Sequence, residues 1–542
     1  MNPTETTLIL CGGPPNPTNL PLGAGQSNAM VPVNGKPVIG WILDELLFKG
    51  IRRATVVVRE ENTQLRGFVE RVYRERMELR IATVRDSGSI VRSMQAGLEG
   101  ETEPGLVRVV LGDTLIRDSF TGDRDFVYTA EVEDSRRWCV AVTGAVGEVV
   151  RLIDKQELDE PPFQALAGYY HLRDGALLRA AVDESVLAGD TELSDVLRRY
   201  MAVHPLQAQQ AREWFDFGHI DNLVGARRRL LQPRYFNALT INPVLNTITK
   251  VSQHTKKLEE ELAWFQLLPE ELKVLTPRVL ATRDAEGNVS VSQEYYGYPT
   301  LAELYVYGDL PREIWSSVMR KVLLIHQEFR RHPGELEPEH VHAMYGAKTW
   351  DRLDALRGQD PAWQEMLDAP VITYQGRELR NVDVLRDAIN RGAERLAGSA
   401  PISIIHGDYC FSNILFDVNN QIVRLIDPRG SFGKSGIYGD ARYDIAKLRH
   451  SLSGLYDFVM ADMFDVRREA DGSWTSQVYA DARLRSLAGD FDRMVAALGY
   501  DVNEIRFIEG LLFVSMVPYH HGHPRRQQLL YLTGLTLLND VL

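Results

Sequence analysis

The sequence predicts an α/β protein: a doubly wound sheet, then a small β-rich lobe, then a mainly helical lobe. Three observations lead there. Short apolar strands ending in Gly or Asp alternate with amphipathic helices through the first part of the chain. At Arg227–Pro233 the helical run GARRRLLQ stops at a proline and a strand-rich segment follows. The length, 542 residues, accommodates about three domains at ~150 residues each. The predicted boundaries are 1–232, 233–300 and 301–542.

The elements follow in order. TLILCGG is a short buried strand ending in glycines, and VIGWILDELLFKG is an amphipathic helix closed by Gly50. ATVVVRE and LRIATV are strands flanking the helix QLRGFVERVYRER. SIVRSMQAGLEG is a helix, and VRVVLGD is a strand stopping at Asp113. Cys139 to Lys155 forms a hairpin, and ALAGYYHL is another strand. The next lobe contains the helix KKLEEELAWFQLL, with Leu258, Leu262 and Phe265 on one side. From Thr300 onward helices dominate, interrupted by the two short strands ISIIHGD and IVRLIDP. The RRR at Arg227–Arg229 reads as a solvated helix end or domain seam.

Composition narrows the function classes. A net charge of −13 argues against general binding to nucleic acid or anionic membrane, but leaves room for nucleotides held by local cations and metal. Three cysteines, Cys11, Cys139 and Cys410, build neither a disulfide framework nor a CxxC zinc site, which points to a reducing compartment. The opening residues lack a basic signal-peptide head, and no apolar stretch approaches the ~20 residues of a membrane helix. The expected location is the cytoplasm, without membrane insertion; an oligomer is compatible with the composition.

The clearest chemistry lies in ISIIHGDYCFSNILFDVNNQIVRLIDPRG. Phosphoryl transfer needs a carboxylate to orient and deprotonate an attacking hydroxyl, and oxygen ligands for the metal on the nucleotide phosphates. Asp408 suits the first task. Asn413 and Asp427 suit the second, because Mg²⁺ prefers hard carboxylate and amide oxygens. D-x-x-x-x-N followed by a strand ending in Asp matches the catalytic-loop logic of protein kinases, with HGD in place of HRD and DPR in place of DFG. His406 is expected to hold loop geometry, and Cys410 to pack as a small apolar residue.

From Tyr235 onward these motifs resemble the aminoglycoside phosphotransferase/choline kinase family, which implies a two-lobed protein-kinase-like (α+β) phosphotransferase domain. The resemblance implies that Asp408 is the base and that Asn413 and Asp427 bind Mg²⁺. It also implies that Asp440 and Asp444, in GDARYDIAKLRHS, brace the catalytic loop. It makes Lys250, in NTITKVSQ, the nucleotide lysine and Glu261 its partner, with Glu260 a competitor because helix phase does not reliably separate adjacent acids. SQEYYGYPTL, with Glu294 and Tyr296, resembles the hinge whose backbone reads the adenine edge. INPVLNT stands where protein kinases carry a glycine-rich loop.

At the N-terminus a strand leads through a Gly/Pro-rich loop into a helix, an arrangement whose backbone N–H groups can cradle phosphates. With VPVNGKPVIGWIL, VVLGD, LIDK and WFDFGHIDNL, the segment from Leu8 to Leu230 resembles the sugar-phosphate nucleotidyltransferases. That implies a Rossmann-like domain in which a phosphomonoester attacks the α-phosphorus of a nucleoside triphosphate and releases pyrophosphate. By the resemblance Gly12 and Gly13 approach the nucleotide, Gly88 lies near the base, and Asp113 with Asp216 ligates Mg²⁺. Lys155 contacts the acceptor phosphate. The sequence departs from the family where PPNPTNLPLGAG carries no arginine and where Asn28 replaces a lysine. Either the loop recruits another cation, such as Arg85 or Arg92, or the domain is slow, altered or only binds; Lys36 reads as more structural than catalytic.

Together these features predict a bifunctional, Mg²⁺-dependent enzyme acting on ATP, a second nucleoside triphosphate and a small-molecule acceptor. It phosphorylates a sugar, polyol or aminoalcohol and couples the phosphate to the second nucleotide, as a precursor for surface polysaccharide or lipid decoration. The alternatives are a kinase with a non-catalytic N-terminal domain, an antibiotic-modifying phosphotransferase, and a non-catalytic interaction protein. Tyr438, Tyr456, Trp474, Tyr519, His520 and His521 are candidates for an acceptor pocket, with core packing as the default.

Overall fold

A computed structural model describes residues 4–13, 27–85, 89–101, 104–230, 237–242, 244–252, 255–283 and 289–542. The chain divides into two compact units, Met1–Leu230 with Tyr307–Asp309, and Leu231–Val306 with Leu310–Leu542.

The first unit is built on a nine-stranded mixed sheet. Thr4–Cys11 is central and runs parallel to Arg53–Arg59 on one side and Pro104–Leu111 on the other. Glu78–Val84 extends the parallel half. Parallel strands covered on both faces are apolar almost throughout, which is why Leu8, Ile9, Val56, Val57, Val107 and Val109 are buried in unbroken runs. Phe163–Leu172 then pairs antiparallel to Pro104–Leu111 and starts the mixed half. The Cys139–Thr143 and Val149–Asp154 hairpin is present in the expected place. Arg227 differs from the solvated reading: it is buried and donates to the Pro32 carbonyl at 2.7 Å, locking the last helix, Ile220–Arg229, onto its own unit.

The second unit begins with a four-stranded antiparallel sheet of Asn237–Asn242, Thr247–Ser252, Val289–Glu294 and Val279–Arg283, in that spatial order. The helix Thr255–Leu267 packs on it through Leu258 and Leu262 against Val289 and Val291. The helical lobe follows, with Arg312–Arg330, Ala441–Leu452, Val502–Met516 and Pro524–Val541 among its longer members. This lobe also holds a four-stranded sheet the sequence does not suggest: Val371–Tyr374 with Arg377–Arg380, and Phe464–Arg468 with Trp474–Val478. Its strands are four or five residues long and largely polar, too short for a period-two alternation to stand out. Among the described residues no helix is long and apolar enough to cross a membrane.

One backbone approach couples the two lobes of this unit. Gly430 has a φ of +67°, and a methyl group on it would collide with the carbonyl of Glu260 and lie 2.9 Å from the amide of Glu261. Only glycine admits both the left-handed conformation and the close approach. The expected outcome of Gly430→Ala is a loss of about 2–3 kcal/mol in unfolding free energy, measured by urea denaturation, because backbone rather than a flexible side chain must move.

Candidate functional sites

In the second unit, Ile402–Ile404 pairs antiparallel with Tyr438–Asp440 and delivers the chain into His406-Gly407-Asp408. The loop is held from below by Asp444, one turn into the helix Ala441–Leu452. Its carboxylate accepts from the backbone amides of His406 at 2.7 Å and Gly407 at 2.9 Å. Asp440 serves the same helix as its N-cap, accepting from Arg442 and from the Tyr345 hydroxyl. His406 is fully buried, its Nδ1 accepts from the Asp408 amide at 3.3 Å, and burial lowers its pKa to about 4. It is therefore neutral at pH 7, as a loop-holding group should be.

Asn413 donates through Nδ2 to the Asp408 carbonyl at 2.9 Å and to its carboxylate at 3.0 Å. The amide oxygen of Asn413 accepts from the Ser412 hydroxyl at 3.5 Å. The hairpin Ile414–Asp417 and Ile422–Leu425, in register Ile414↔Leu425, returns the chain so that the Ile426 amide donates to the Asn413 carbonyl. Asp427 therefore emerges beside Asn413, in the left-handed region at φ +53°. Lys250, on the strand Thr247–Ser252, reaches both Glu261 at 2.7 Å and Asp427 at 3.3 Å. Two carboxylates keep the Lys250 ammonium charged against the cost of burial. Glu261 is pushed up by burial and by the charge of Asp427, and pulled down by Lys250.

The adjacent acids of this helix separate cleanly. Glu261 is buried with Leu258, Trp264 and Phe265, whereas Glu260 accepts from Ser435 at an exposed position. A face at i, i+3 and i+7 from Leu258 selects Glu261, a signal present in the sequence. The same helix sends the Trp264 indole N–H to the Ile405 carbonyl at 2.7 Å, a tie to the loop that carries Asp408 that sequence reasoning missed. Glu294 accepts from the Arg278 amide and the Tyr296 hydroxyl, and Tyr296 stacks on Tyr298. These two side chains hold each other.

Lys447 was also missed. Its ammonium lies 2.8 Å from Asp408 and depresses that carboxyl well below its ordinary range. The available signal was its place three residues after Asp444, on the turn that faces the loop.

In the first unit the strand Pro104–Leu111 ends at Gly112-Asp113. Thr114–Ile116 pairs antiparallel with Trp214–Asp216, and the register Thr114↔Asp216 brings the two aspartates together. Both carboxylates border Gly218: a Cβ there would lie 2.8 Å from Asp113 Oδ2 and 3.4 Å from Asp216 Oδ1. Burial and the charge of Asp216 raise the pKa of Asp113, while the Asn28 side chain, hydrogen-bonded to it, opposes the rise. Asp216 accepts from the Gly218 amide, His219 Nδ1 and Asn222 Nδ2.

The remaining residues fall as follows. A Cβ on Gly12 would meet Ser93 and Val84, so its smallness serves strand–helix packing, whereas Gly13 is open. Lys155 pairs with Glu192 at 3.1 Å on the surface. Lys36 pairs with Asp44 and lies over Trp41, and Arg85 pairs with Glu60. Gly88, the loop 14–25 and Pro243 of INPVLNT lie outside the described residues. Among the described residues no three His, Cys, Asp or Glu side chains gather to hold a metal; the donor sets are the pairs Asp113/Asp216 and Asn413/Asp427. Both pairs offer hard oxygens, which fit Mg²⁺.

Comparison with known proteins agrees with this division. Residues 6–233 match the nucleotidyl transferase family and residues 244–480 the phosphotransferase enzyme family. The chain thus carries an N-terminal nucleotidyltransferase-like domain followed by a phosphotransferase, kinase-like domain. Both families are enzymatic, which supports a bifunctional enzyme. Similar solved structures include one assigned as a glucose-1-phosphate thymidylyltransferase of Bacillus anthracis, at 19% identity and TM-score 0.37, covering 42% of this chain and 97% of that one. Another is the CTP:phosphocholine cytidylyltransferase of Streptococcus pneumoniae, at 16% identity and TM-score 0.35, covering 42% and 99%. No curated protein matches the chain.

The brace on the Asp408 loop yields a pH test. Burial pushes Asp444 up to about 7 against the pull of its two amide partners. An acid whose pKa rises on folding pays for ionisation in the folded state, a cost absent below the ordinary Asp range and complete above about pH 7. Asp444→Asn removes that cost while losing one amide acceptor. Urea denaturation is expected to show it destabilised by about 2 kcal/mol at pH 5, and by less at pH 8.

Proposed function

We propose that the second unit transfers the γ-phosphoryl group of ATP to a hydroxyl of a small metabolite of the sugar, polyol or aminoalcohol kind. The observation that carries this reading is Lys250 bridging Glu261 and Asp427 next to the hydrogen-bonded pair Asp408 and Asn413. Asp408 orients the acceptor hydroxyl and takes its proton as the oxygen bonds to the γ-phosphorus and ADP leaves. Lys250, oriented by Glu261, holds the α- and β-phosphates, and backbone groups near Glu294 and Tyr296 meet the adenine. Asn413 and Asp427 hold the Mg²⁺, which when bound offsets the charge of the phosphates. Lys447 keeps Asp408 ionised without touching the reacting atoms.

The first unit then joins the resulting phosphomonoester to a second nucleoside triphosphate and releases pyrophosphate. Asp113 and Asp216 are two like charges side by side, with no Lys or Arg paired to either among the described residues. Such a pair fits a divalent cation. Fusion of two successive activities raises the local concentration of the intermediate. The product suits the supply of activated precursors for surface polysaccharide or lipid decoration, made in the cytoplasm.

A second reading keeps the kinase and makes the first unit a binding domain. What favours it is the cation deficit: Lys155, Lys36 and Arg85 are each paired with an acid, and Asn28 stands beside Asp113. Developing charge on a triphosphate without a cation costs a few kcal/mol. Pyrophosphate release from each of the four nucleoside triphosphates, with phosphorylated acceptors, decides between the readings. Turnover that disappears in Asp113→Asn and Asp216→Asn is the expected result; silence in the unmodified protein selects the second reading.

For the kinase, ADP release across a panel of hydroxylated compounds is expected to fall about a thousandfold in Asp408→Asn. Lys447→Met lets the Asp408 pKa rise, so the acid limb of kcat/KM moves to higher pH. An unmoved limb removes Lys447 from this role.

A further inference from the structure

Lys348 and Arg352 lie one turn apart on the helix Ala347–Arg357 and therefore share a face. The Lys348 ammonium is 3.5 Å from the Tyr443 hydroxyl, and the Arg429 guanidinium is 3.1 Å from that same hydroxyl. Arg352 donates to the Tyr519 hydroxyl at 2.7 Å and to the Ser515 carbonyl at 3.2 Å. Lys447, one turn beyond Tyr443 on the helix Ala441–Leu452, reaches Asp408. Lys447 thus contacts the proposed catalytic base, Lys348 and Arg429 meet at a hydroxyl one turn away on the same helix, and Arg352 lies one turn from Lys348.

Several other arginines of this unit are paired with acids. Arg442 is paired with Asp440 and Glu504, Arg449 with Asp492 and Glu509, and Arg357 with Asp354, Asp368 and Asp383. Among the described residues, Lys348, Arg352 and Arg429 have hydroxyl and carbonyl partners but no carboxylate within 4.0 Å. Burial and the charges of Arg429, Arg352 and Lys447 push Lys348 well below its ordinary range, and Asp408 is the acid that opposes them. Basic groups left without acids beside the proposed base are free to take an anion from outside the chain, which would restore the Lys348 charge.

We propose that the acceptor is itself an anion: a hydroxylated molecule whose carboxylate or phosphate seats on Lys348, Arg352 and Arg429 while its hydroxyl meets Asp408. The proposal rests on the kinase reading for the position of the hydroxyl and narrows the acceptor to acidic compounds, against choline-like cations. Tyr443 and Tyr519 hold the cations in place and add donors for the same anion.

The test uses the full-length protein and charge-matched probes at constant ionic strength: glycerate against glycerol, glucuronate against glucose, 3-phosphoglycerate, and choline. Binding is read by calorimetry and phosphorylation by ADP release from ATP. The acids are expected to bind about tenfold or more tightly than their neutral partners. Lys348→Gln and Arg352→Gln each weaken acid binding about tenfold, Arg352→Lys retains most of it, and ATP affinity shifts less than about twofold. Equal or tighter binding of neutral compounds or choline overturns the proposal, as does an effect of the Gln variants on ATP rather than on the acids. Acids that bind in this pattern without ADP release from any compound leave the anion site standing and remove the kinase reading. ADP release with neutral or cationic compounds alone does the reverse.

Discussion

The second unit depends on one buried carboxylate. Asp444 takes two consecutive backbone amides of the loop that carries Asp408, so the position of Asp408 is set by a helix and not by the loop itself. A buried acid is costly unless its oxygens are satisfied, and here both are. The helix Ala441–Leu452 is buried almost all round, which leaves it little freedom to shift. Because Tyr443 and Lys447 ride on the same helix, the brace, the charge beside Asp408 and the anchor of the cation cluster form one rigid piece.

The small lobe is joined to this piece by groups of a different kind. Lys250 reaches across to Asp427, the Trp264 indole holds the Ile405 carbonyl, and Gly430 lets the loop after Asp427 press on the backbone of Glu260 and Glu261. An ion pair, a neutral hydrogen bond and a steric approach respond differently to salt, pH and volume. Their agreement on one geometry is what places Glu261 and not Glu260 against the lysine.

The first unit solves a related problem with a sheet. A strand ends at Asp113, a short antiparallel pair in register Thr114↔Asp216 brings in the second acid, and Gly218 leaves room between them. The two units differ in how charge is distributed. The first sets Asp113 and Asp216 side by side with no Lys or Arg paired to either among its described residues, and the second gathers cations at its proposed acceptor side.

Much of this was legible in the chain itself. The alternating strands and helices, the D-x-x-x-x-N spacing and the aspartates at strand ends are local patterns, and local patterns follow from backbone geometry and from which face is buried. The four-stranded sheet of the helical lobe was not legible, because its strands are short and largely polar and its two hairpins meet at Tyr374 and Trp474, 100 residues apart. Nor was the setting of Lys348, Arg352, Arg429 and Lys447, which come from three separate segments. Each alone reads as an ordinary surface cation. Only tertiary packing decides that no acid accompanies three of them, since charge pairing is a property of space and not of sequence distance.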